Sequence, residues 1–217
     1  MSDAPVKVYV TTDAVTFALS PTGPLELLLI RRRNPPYQGR WALPGGFVDE
    51  DEDLPDACAR ELLEEAGLRP AALAQIGAWG TPGRDPRGRN VSVAYLAVVR
   101  PSERSARAGD DAAEARWFPV GDLPKTAFDH ADIVAAGLEK LRLLALSTHV
   151  AFALLPEEFR LDDLRCALEA VRGGPVTFDQ AAAVAECARL EVVSEGEGDV
   201  GNVYRCNVGD YLAPLGR

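Results

Sequence analysis

The sequence predicts an α/β sandwich followed by a smaller region of helices and a hairpin. Segments with strand composition are interleaved with two helical segments, which favours helices packed on a sheet over a helix bundle or an all-β fold. The hydrophobic fraction of 47% and the charged fraction of 26% are typical of a chain that buries a sizeable core. After Thr148 the spacing of apolar residues changes, and shorter elements are predicted.

Five segments have the β-branched, alternating composition of strands. The first two, residues 6–19 and 26–33, are separated by the turn sequence SPTGP. Three further strands are predicted at residues 73–79, 91–99 and 114–120. One helix is predicted behind a Gly-Gly turn, and residues 129–146 have the spacing and length of a second helix that closes the domain.

The C-terminal part of the chain predicts a second, smaller domain. One short helix is indicated by Phe159, Leu161, Leu164, Ala167 and Leu168. A second helix is predicted over residues 177–190, and residues 192–193 are expected to pair with residues 203–208 as a hairpin. This order is similar to a winged helix-turn-helix, whose second helix enters the DNA major groove. We place the boundary near His149, which gives domains of residues 1–149 and 150–217.

Three carboxylates in the first predicted helix indicate a cation site. At 100° per residue, Glu61, Glu64 and Glu65 lie on one side of the helix, and an apolar stripe lies nearly opposite. Acids on one face repel one another unless positive charge lies between them. Hard divalent cations prefer oxygen ligands of this kind. An ordinary solvated acidic helix is the alternative interpretation.

The segment GFVDEDEDLPDACARELLEEAGL resembles the Nudix box, G-x5-E-x7-R-E-U-x-E-E-x-G-U, at every specified position. The stretches RWALPGGFVDEDEDL, RDPRGRNVSVAYLAVV, ARWFPVGDLPKTAFDHADI and FALLPEEFRLDDLRCALEAV extend the likeness over nearly the whole chain. Together they resemble the Nudix branch that includes ADP-ribose pyrophosphatases and Nudix-related transcriptional regulators of NAD metabolism. The matching box positions are Gly46, Glu52, Arg60, Glu61, Leu62, Glu64, Glu65, Gly67 and Leu68.

The resemblance implies a Nudix α/β/α sandwich with a mixed sheet and assigns roles within the box. It implies that Glu61, Glu64 and Glu65 bind Mg²⁺ or Mn²⁺, with help from the Gly45 carbonyl. Arg60 and Glu52 are expected to form a supporting salt bridge. The implied reaction is attack of water on a nucleoside diphosphate linked to another moiety, with ADP-ribose cleaved to AMP and ribose 5-phosphate as the leading expectation.

Basic side chains in two segments are candidate phosphate ligands, because guanidinium groups match phosphate oxygens. One group lies at the end of the second strand and beyond it, where Arg31, Arg32 and Arg33 cannot all face one site if the strand alternation persists. The other lies in the loop GTPGRDPRGRN. Solvated surface charge and an ordinary hairpin tip are the alternatives. The assigned candidates are Arg31, Arg33, Arg40, Arg84, Arg87 and Arg89.

Candidate general bases and stacking rings are less distinct in the sequence. Asp110, Asp111 and Glu114 precede a predicted strand, and a carboxylate there is a candidate for orienting or deprotonating water. A polar loop is the alternative for each. Aromatic residues are candidates for stacking on a base, although each alone is a common core residue. These residues are Trp41, Phe47, Trp79, Tyr95 and Phe128.

Charge distinguishes the enzyme from the regulator. The net charge is −10, and residues 150–217 carry six arginines and no lysines against twelve acids, a charge of −6. DNA binding needs several cations to neutralise phosphates, so we favour the hydrolase and keep an ADP-ribose-sensing DNA-binding regulator as the alternative. We expect a homodimer and no membrane span. With no signal-peptide pattern and four scattered cysteines, we also expect a cytoplasmic location.

Overall fold

A computed structural model of the chain describes residues 6–109, 112–147, 150–188, 190–196 and 201–206, and it shows one seven-stranded mixed sheet. The strands are β1 (Tyr9–Leu19), β2 (Leu25–Arg32), β3 (Trp41–Ala42), β4 (Gly45–Phe47), β5 (Ala72–Trp79), β6 (Asn90–Val98) and β7 (Ala112–Pro119). The main order is β3-β2-β1-β6-β5, with β4 paired to β1 and β7 paired to β2. The pairing of β1 with β6 is parallel, and the other pairings are antiparallel.

Two helices cover opposite faces of this sheet, α1 (Leu54–Ala66) and α2 (His130–Ser147). Successive strand residues point to opposite faces, so β1 supplies both cores. Ala14 and Ala18 belong to the cluster that contains Leu62 of α1. Val15 and Phe17 belong to the other cluster, which contains residues of α2. The predicted α/β class with a mixed sheet is confirmed.

Local sequence fixes both ends of α1. The Asp53 side chain accepts a hydrogen bond from the Leu54 amide, and a proline follows in the first turn, where a missing N–H costs nothing. Gly67 ends the helix with φ 69°, a left-handed conformation that glycine adopts without steric cost. These signals hold the acidic face of α1 in a defined register against β4.

Contacts between α2 and the sheet depend on a close approach. A Cβ atom at Gly137 would lie 2.6 Å from Cγ1 of Val15. Glycine at this position therefore lets the helix backbone pack directly on the central strand. The close packing fixes the depth at which the first turn of α2 enters the molecule.

The C-terminal region contains three further helices and a second sheet of three antiparallel strands. Its elements are α3 (Val150–Ala153), β8 (Glu158–Arg160), α4 (Leu161–Arg172), α5 (Phe178–Glu186), β9 (Glu191–Ser194) and β10 (Val203–Arg205). The expected hairpin is present between β9 and β10, and residues 207–208 of the prediction lie outside the described residues. Phe159 was expected in the first helix and instead lies in β8, paired with Tyr204.

Apolar packing continues from the main sheet into the C-terminal region. One buried cluster includes Phe17 of β1, Ile133 of α2, Phe152 of α3 and Leu164 of α4. His149 lies outside the described residues, and the division into residues 1–149 and 150–217 stays a prediction. Within the described part of the chain, no helix is long and apolar enough to cross a membrane.

Short strands and strand ends are where the sequence predictions differ from the structure. Residues 6–8 were expected in the first strand but precede β1, and Val6 is 74% exposed. The strands β3 and β4 were not predicted, because two or three residues are too few to show an alternation. Their pairing partners in β2 and β1 define them instead.

Candidate active site

A cavity of about 360 Å³ opens between one end of the sheet and the acidic face of α1. Its walls come from the first half of β1, the end of β2, strand β4, helix α1, the β5–β6 loop and the start of α2. Several polar side chains in these walls are almost fully buried. These are Thr11, Asp13, Glu65, Asp85, Asn90 and His130. Buried polar groups cost free energy unless they are paired, so their concentration here indicates a functional site.

Arg60 connects the acidic residues at one side of this cavity. Its Nε and NH2 groups each donate to a different Glu52 oxygen at 2.8 Å, which makes a bidentate salt bridge. Its NH1 group donates to Glu61 at 2.8 Å and to Glu64 at 3.2 Å. Its NH2 group also donates to the Phe47 carbonyl at 3.1 Å. Arg60 therefore holds the loop before α1 onto the helix.

The contacts of Arg60 and the burial of the site shift the pKa values of the bridged residues. Hydrogen bonds from Arg60 hold the pKa of Glu52 below its ordinary value, and the pKa of Arg60 is raised by its bonds to Glu52 and Glu61. Burial instead raises the pKa of Glu61, although Arg60 opposes the shift. Burial therefore disfavours the negative charge of Glu61 more than Arg60 stabilises it.

Glu61 and Glu65 reach the cavity beside the Gly45–Gly46 backbone. A Cβ atom at Gly46 would lie 2.3 Å from Oε1 of Glu61, so any side chain at this position would displace the carboxylate. Glu65 is 8% exposed, and its Oε2 accepts the Gly45 N–H at 2.8 Å. Glu64 has a side chain that is 57% exposed and does not line the cavity.

The donor set at this position suits a hard divalent cation. Carboxylate oxygens of Glu61 and Glu65 and the carbonyl of Gly45 are the ligands that Mg²⁺ and Mn²⁺ prefer. The glycine backbone leaves the space beside Glu61 that a side chain would fill. Among the described residues, however, no three His, Cys, Asp or Glu side chains are already gathered as a metal site, since Arg60 holds Glu61 and Glu64. The ligand assignment stays a prediction.

Besides Arg60, four arginines line the cavity, and they are only partly the predicted phosphate ligands. Arg33, Arg84 and Arg87 were predicted, and Arg32 joins them. Both Arg32 and Arg33 reach the cavity because β2 ends at Arg32, so the strand alternation no longer applies to Arg33. The remaining three predicted arginines do not line it. Arg31 donates to the Gly39 carbonyl and Arg89 to the Gly80 carbonyl, and Arg40 is exposed.

Asp13 and Arg84 line the cavity, and Arg84 is held from behind by Asp129. Arg84 donates to both carboxylate oxygens of Asp129, at 2.8 and 2.6 Å, and its NH2 group lies 3.8 Å from Oδ2 of Asp13. The Ser92 hydroxyl donates to the same Asp13 oxygen. Burial lowers the pKa of Arg84, but the bond to Asp129 outweighs that effect and raises it. Arg84 is thus a fixed cation committed to two carboxylates.

Arg87 lies between two aromatic rings at another side of the cavity. Its guanidinium carbon is 5.2 Å from the ring centroid of Phe47 and 5.9 Å from that of Phe128. Asp85 anchors it through bonds of 2.7 to 3.1 Å. Burial raises the pKa of Asp85, but its bonds from Arg87 outweigh this and hold the pKa below the ordinary value. Arg87 is therefore oriented before any ligand arrives.

The remaining candidates lie away from the cavity or outside the described residues. Of the five rings considered, only Phe47 and Phe128 line the cavity. Tyr95 is buried in the core on the α1 side of the sheet, and Trp41 and Trp79 pack against the core on the α2 side. Glu114 is 3.4 Å from Arg116 on β7 and does not line the cavity. Asp110 and Asp111 lie outside the described residues. The general-base assignment stays a prediction.

Sequence reasoning missed Asp13, Asp85 and His130 as residues of the cavity. A signal existed for Asp13, because a single acid within the apolar strand TTDAVTFAL is rarely buried without a partner. Asp85 was hidden between the arginines of its loop. His130 gave no local signal, because the residues that contact its two ring nitrogens, Leu43 and Asp13, are distant in sequence.

Known proteins support the interpretation of this geometry. Over 109 residues the chain is 45% identical to an ADP-ribose pyrophosphatase of Methanocaldococcus jannaschii, and this match covers 50% of the chain and 63% of that protein. Over 167 residues the chain is 33% identical to the ADPR responsive transcriptional repressor NtrR of Acinetobacter baylyi, and this match covers 75% of the chain and 66% of that protein. The chain thus spans slightly less than two thirds of the length of each relative.

Structural similarity extends over nearly the whole chain. The crystal structure of Shewanella oneidensis NrtR matches with a TM-score of 0.81 and 30% identity, covering 94% of this chain and 96% of that one. The same NrtR complexed with a 27mer DNA matches with a TM-score of 0.79, covering 93% and 96% of the two chains. The family model described as NUDIX domain matches residues 11–137. That span contains the sheet, α1 and the residues that line the cavity, and the chain belongs to the NUDIX domain family.

Proposed function

We propose that the chain is a divalent-cation-dependent hydrolase of a nucleoside diphosphate linked to another moiety, with ADP-ribose cleaved to AMP and ribose 5-phosphate. One observation carries the proposal: two box carboxylates, Glu61 and Glu65, line the same cavity as four arginines in addition to Arg60. Positive groups are needed to hold a diphosphate, and carboxylates are needed to hold a cation beside it. The choice of ADP-ribose rests on the similarity to the archaeal ADP-ribose pyrophosphatase.

Arg32, Arg33 and Arg87 are the groups best placed to bind the diphosphate. Arg33 donates to the Ala112 carbonyl at 3.0 Å, and within the described part of the chain no acid is paired with it. Arg32 donates through Nε to the Pro36 carbonyl at 2.8 Å and stacks on Phe128. Since these guanidinium groups are held by backbone and ring contacts, less entropy is lost when they bind phosphate oxygens.

Glu61, Glu65 and the Gly45 carbonyl would hold the cation. When bound there, a divalent cation neutralises diphosphate charge and acidifies a bound water. The Gly45 N–H fixes one oxygen of Glu65, so that carboxylate has a defined direction. Arg60 restrains Glu61 and keeps the preceding loop closed through Glu52. These contacts pre-arrange the ligands on a rigid helix, which site geometry requires.

A substrate panel tests the proposal. Purified protein would be incubated with ADP-ribose, other nucleoside diphosphate sugars and dinucleoside polyphosphates, each with Mg²⁺ or Mn²⁺, and products would be separated by chromatography. We expect AMP and ribose 5-phosphate from ADP-ribose, abolished by EDTA. The Glu65→Gln variant controls for contaminating hydrolases. Absence of turnover on every compound with both cations would reject the hydrolase.

A second candidate function is an ADP-ribose-sensing regulator that binds DNA through its C-terminal region. The observation that favours it is the likeness to NrtR, which extends through the C-terminal helices and hairpin. The charge of −6 over residues 150–217 opposes it. A homodimer would serve either function, and light scattering coupled to size exclusion tests that state. A DNA titration with and without ADP-ribose separates the two functions.

A further inference from the structure

A histidine that has no role in the proposed chemistry lies at the floor of the cavity. His130 begins α2 and is 4% exposed. Its Nδ1 accepts the Leu43 backbone N–H at 2.9 Å, and its Nε2 lies 3.5 Å from Oδ1 of Asp13. Its ring stacks on Phe128 with centroids 5.2 Å apart. A buried imidazole with both nitrogens engaged has one orientation and one proton arrangement.

The proton arrangement follows from these partners. Because Nδ1 accepts from an amide, the proton of the neutral ring is on Nε2, where it faces a carboxylate. Burial lowers the pKa of His130, and Asp13 opposes that shift. The other charged groups that act on the ring are Arg84, Asp129 and Arg32. His130 is therefore a neutral group that accepts a hydrogen bond from Leu43 and faces Asp13 of β1.

The segment that His130 holds leads directly to the cation site. The Ala127 N–H donates to the Trp41 carbonyl at 2.7 Å, and Leu43 is bonded to His130. Pro44 accepts the Ala14 N–H at 2.8 Å, and Gly45 pairs with Asp13 in the β1–β4 ladder. These bonds fix the peptides that precede Gly45, whose N–H donates to Glu65.

We infer that His130 is a positioning residue, which accepts the Leu43 N–H and thereby fixes the direction in which Gly45 meets Glu65. The start of α2 would then control the geometry of a cation site built by α1 on the opposite face of the sheet. Only the consequence for cation affinity rests on the proposed function. Partners that orient ligands change metal affinity by roughly 10- to 100-fold when they are removed.

Two substitutions separate the contacts of His130. In His130→Asn the amide oxygen takes the place of Nδ1 and retains an acceptor for Leu43, but the group that faces Asp13 is lost. In His130→Gln the amide nitrogen takes the place of Nε2 and retains the donor toward Asp13, but the acceptor for Leu43 is lost. Both variants lose ring packing to a similar degree, so melting temperature controls for general destabilisation.

Amide hydrogen exchange and Mn²⁺ affinity are the readouts. We expect His130→Gln to accelerate exchange at Leu43 and Gly45 by about 10-fold and to weaken Mn²⁺ binding by about 10-fold. His130→Asn should stay within about threefold of the wild type in both. Unchanged exchange at Gly45 in His130→Gln, or equal effects in the two variants, would overturn the inference.

Two further outcomes keep the test decisive. If His130→Gln does not fold, ¹⁵N NMR of the wild-type imidazole decides, and a proton on Nδ1 at neutral pH would refute the inference. If the wild-type protein binds no Mn²⁺, the proposed cation-dependent function fails. Exchange at Gly45 then still determines whether His130 positions it.

Discussion

Arginines in the cavity and arginines in the C-terminal region have different surroundings. In the cavity, Arg33 and Arg87 are anchored by a carbonyl or a single acid and still line an open space. In the C-terminal region, Arg165 is paired with Asp162 and Glu169, and Arg205 is paired with Glu158 and Glu191. The first arrangement leaves positive charge for an anion, and the second neutralises it within the chain.

This difference shows why net charge alone describes the molecule poorly. The chain carries −10 overall, yet five arginines line one cavity of about 360 Å³, together with five carboxylates. Low-dielectric cavity walls concentrate the potential of an arginine that is held by a backbone carbonyl, as at Arg32 and Arg33, and such a group attracts an anion despite a repulsive average. Arg165 and Arg205 are instead surrounded by acids, whereas Arg160 and Arg172 donate to backbone carbonyls and line no such cavity. If the comparison is correct, substitutions in the two regions should differ widely in effect.

The largest effect is expected at Glu65. Replacing it with Gln removes a charge while an amide oxygen can still accept the Gly45 N–H, so the fold should be preserved. We expect kcat to fall by about 1,000-fold, equivalent to about 4 kcal/mol of lost transition-state stabilisation, with ADP-ribose binding little changed. Steady-state kinetics and calorimetric titration with ADP-ribose measure the two quantities. An unchanged kcat would exclude Glu65 from the reaction.

A smaller effect is expected at Arg60, with Arg205 as its matched control in the C-terminal region. Arg60→Ala leaves Glu52, Glu61 and Glu64 without their shared cation, and their repulsion should lower stability by about 1–2 kcal/mol. Arg205→Ala breaks ion pairs with Glu158 and Glu191 in which the arginine side chain is 38% exposed, and it should lower stability much less than Arg60→Ala. Urea unfolding of both variants gives the comparison. Equal losses would show that the two regions are not distinguished by their pairing.

The residues around the cavity show which features of the site could be predicted from sequence and which could not. Helix α1 was predictable because its acidic face, its proline and its final glycine are all local signals. The resemblance to the Nudix box also implied the salt bridge of Arg60 with Glu52, which the structure shows as a bidentate bridge. The bond between Leu43 and His130 joins residues 87 apart, and no local pattern encodes it. Chain topology, not periodicity, brings β1, the β5–β6 loop and α2 to one cavity.

Strand alternation held for three arginines taken together but did not identify which two of them reach the cavity. It was expected to keep Arg31, Arg32 and Arg33 from facing one site, and Arg31 indeed lies away from the cavity. The end of β2 at Arg32 then lets two adjacent arginines reach the same space. An alternation rule holds only while the strand continues, and sequence alone determined that end to within a residue or so.

A pH-dependent effect is expected at Asp85, which anchors Arg87. Its pKa is depressed in the folded protein, so its contribution to stability is present above the unfolded value of about 3.9 and is lost as pH falls through the folded value. Asp85→Asn should therefore lower the melting temperature at pH 7, and its difference from wild type should shrink below about pH 4. Asp162→Asn in the C-terminal region, where the side chain is 50% exposed, is the control with little change. A difference that grows at low pH would contradict the pairing of Asp85 with Arg87.

The smallest effect is expected for DNA binding, and it tests the comparison most directly. With Arg165 and Arg205 paired to acids, Arg160 and Arg172 are the cations that the described C-terminal region can offer to phosphates. Two cations release few counterions, so at physiological salt we expect at most non-specific binding, with Kd of about 10⁻⁴ to 10⁻⁶ M. A gel-shift titration with the protein's own promoter region measures this, with and without ADP-ribose. Arg205→Ala should leave the titration unchanged. Nanomolar binding that ADP-ribose reverses would instead establish the regulator. Weakening of that binding by Arg205→Ala would show that DNA displaces Glu158 and Glu191 from the arginine, and the contrast between the two regions would then hold only for the free protein.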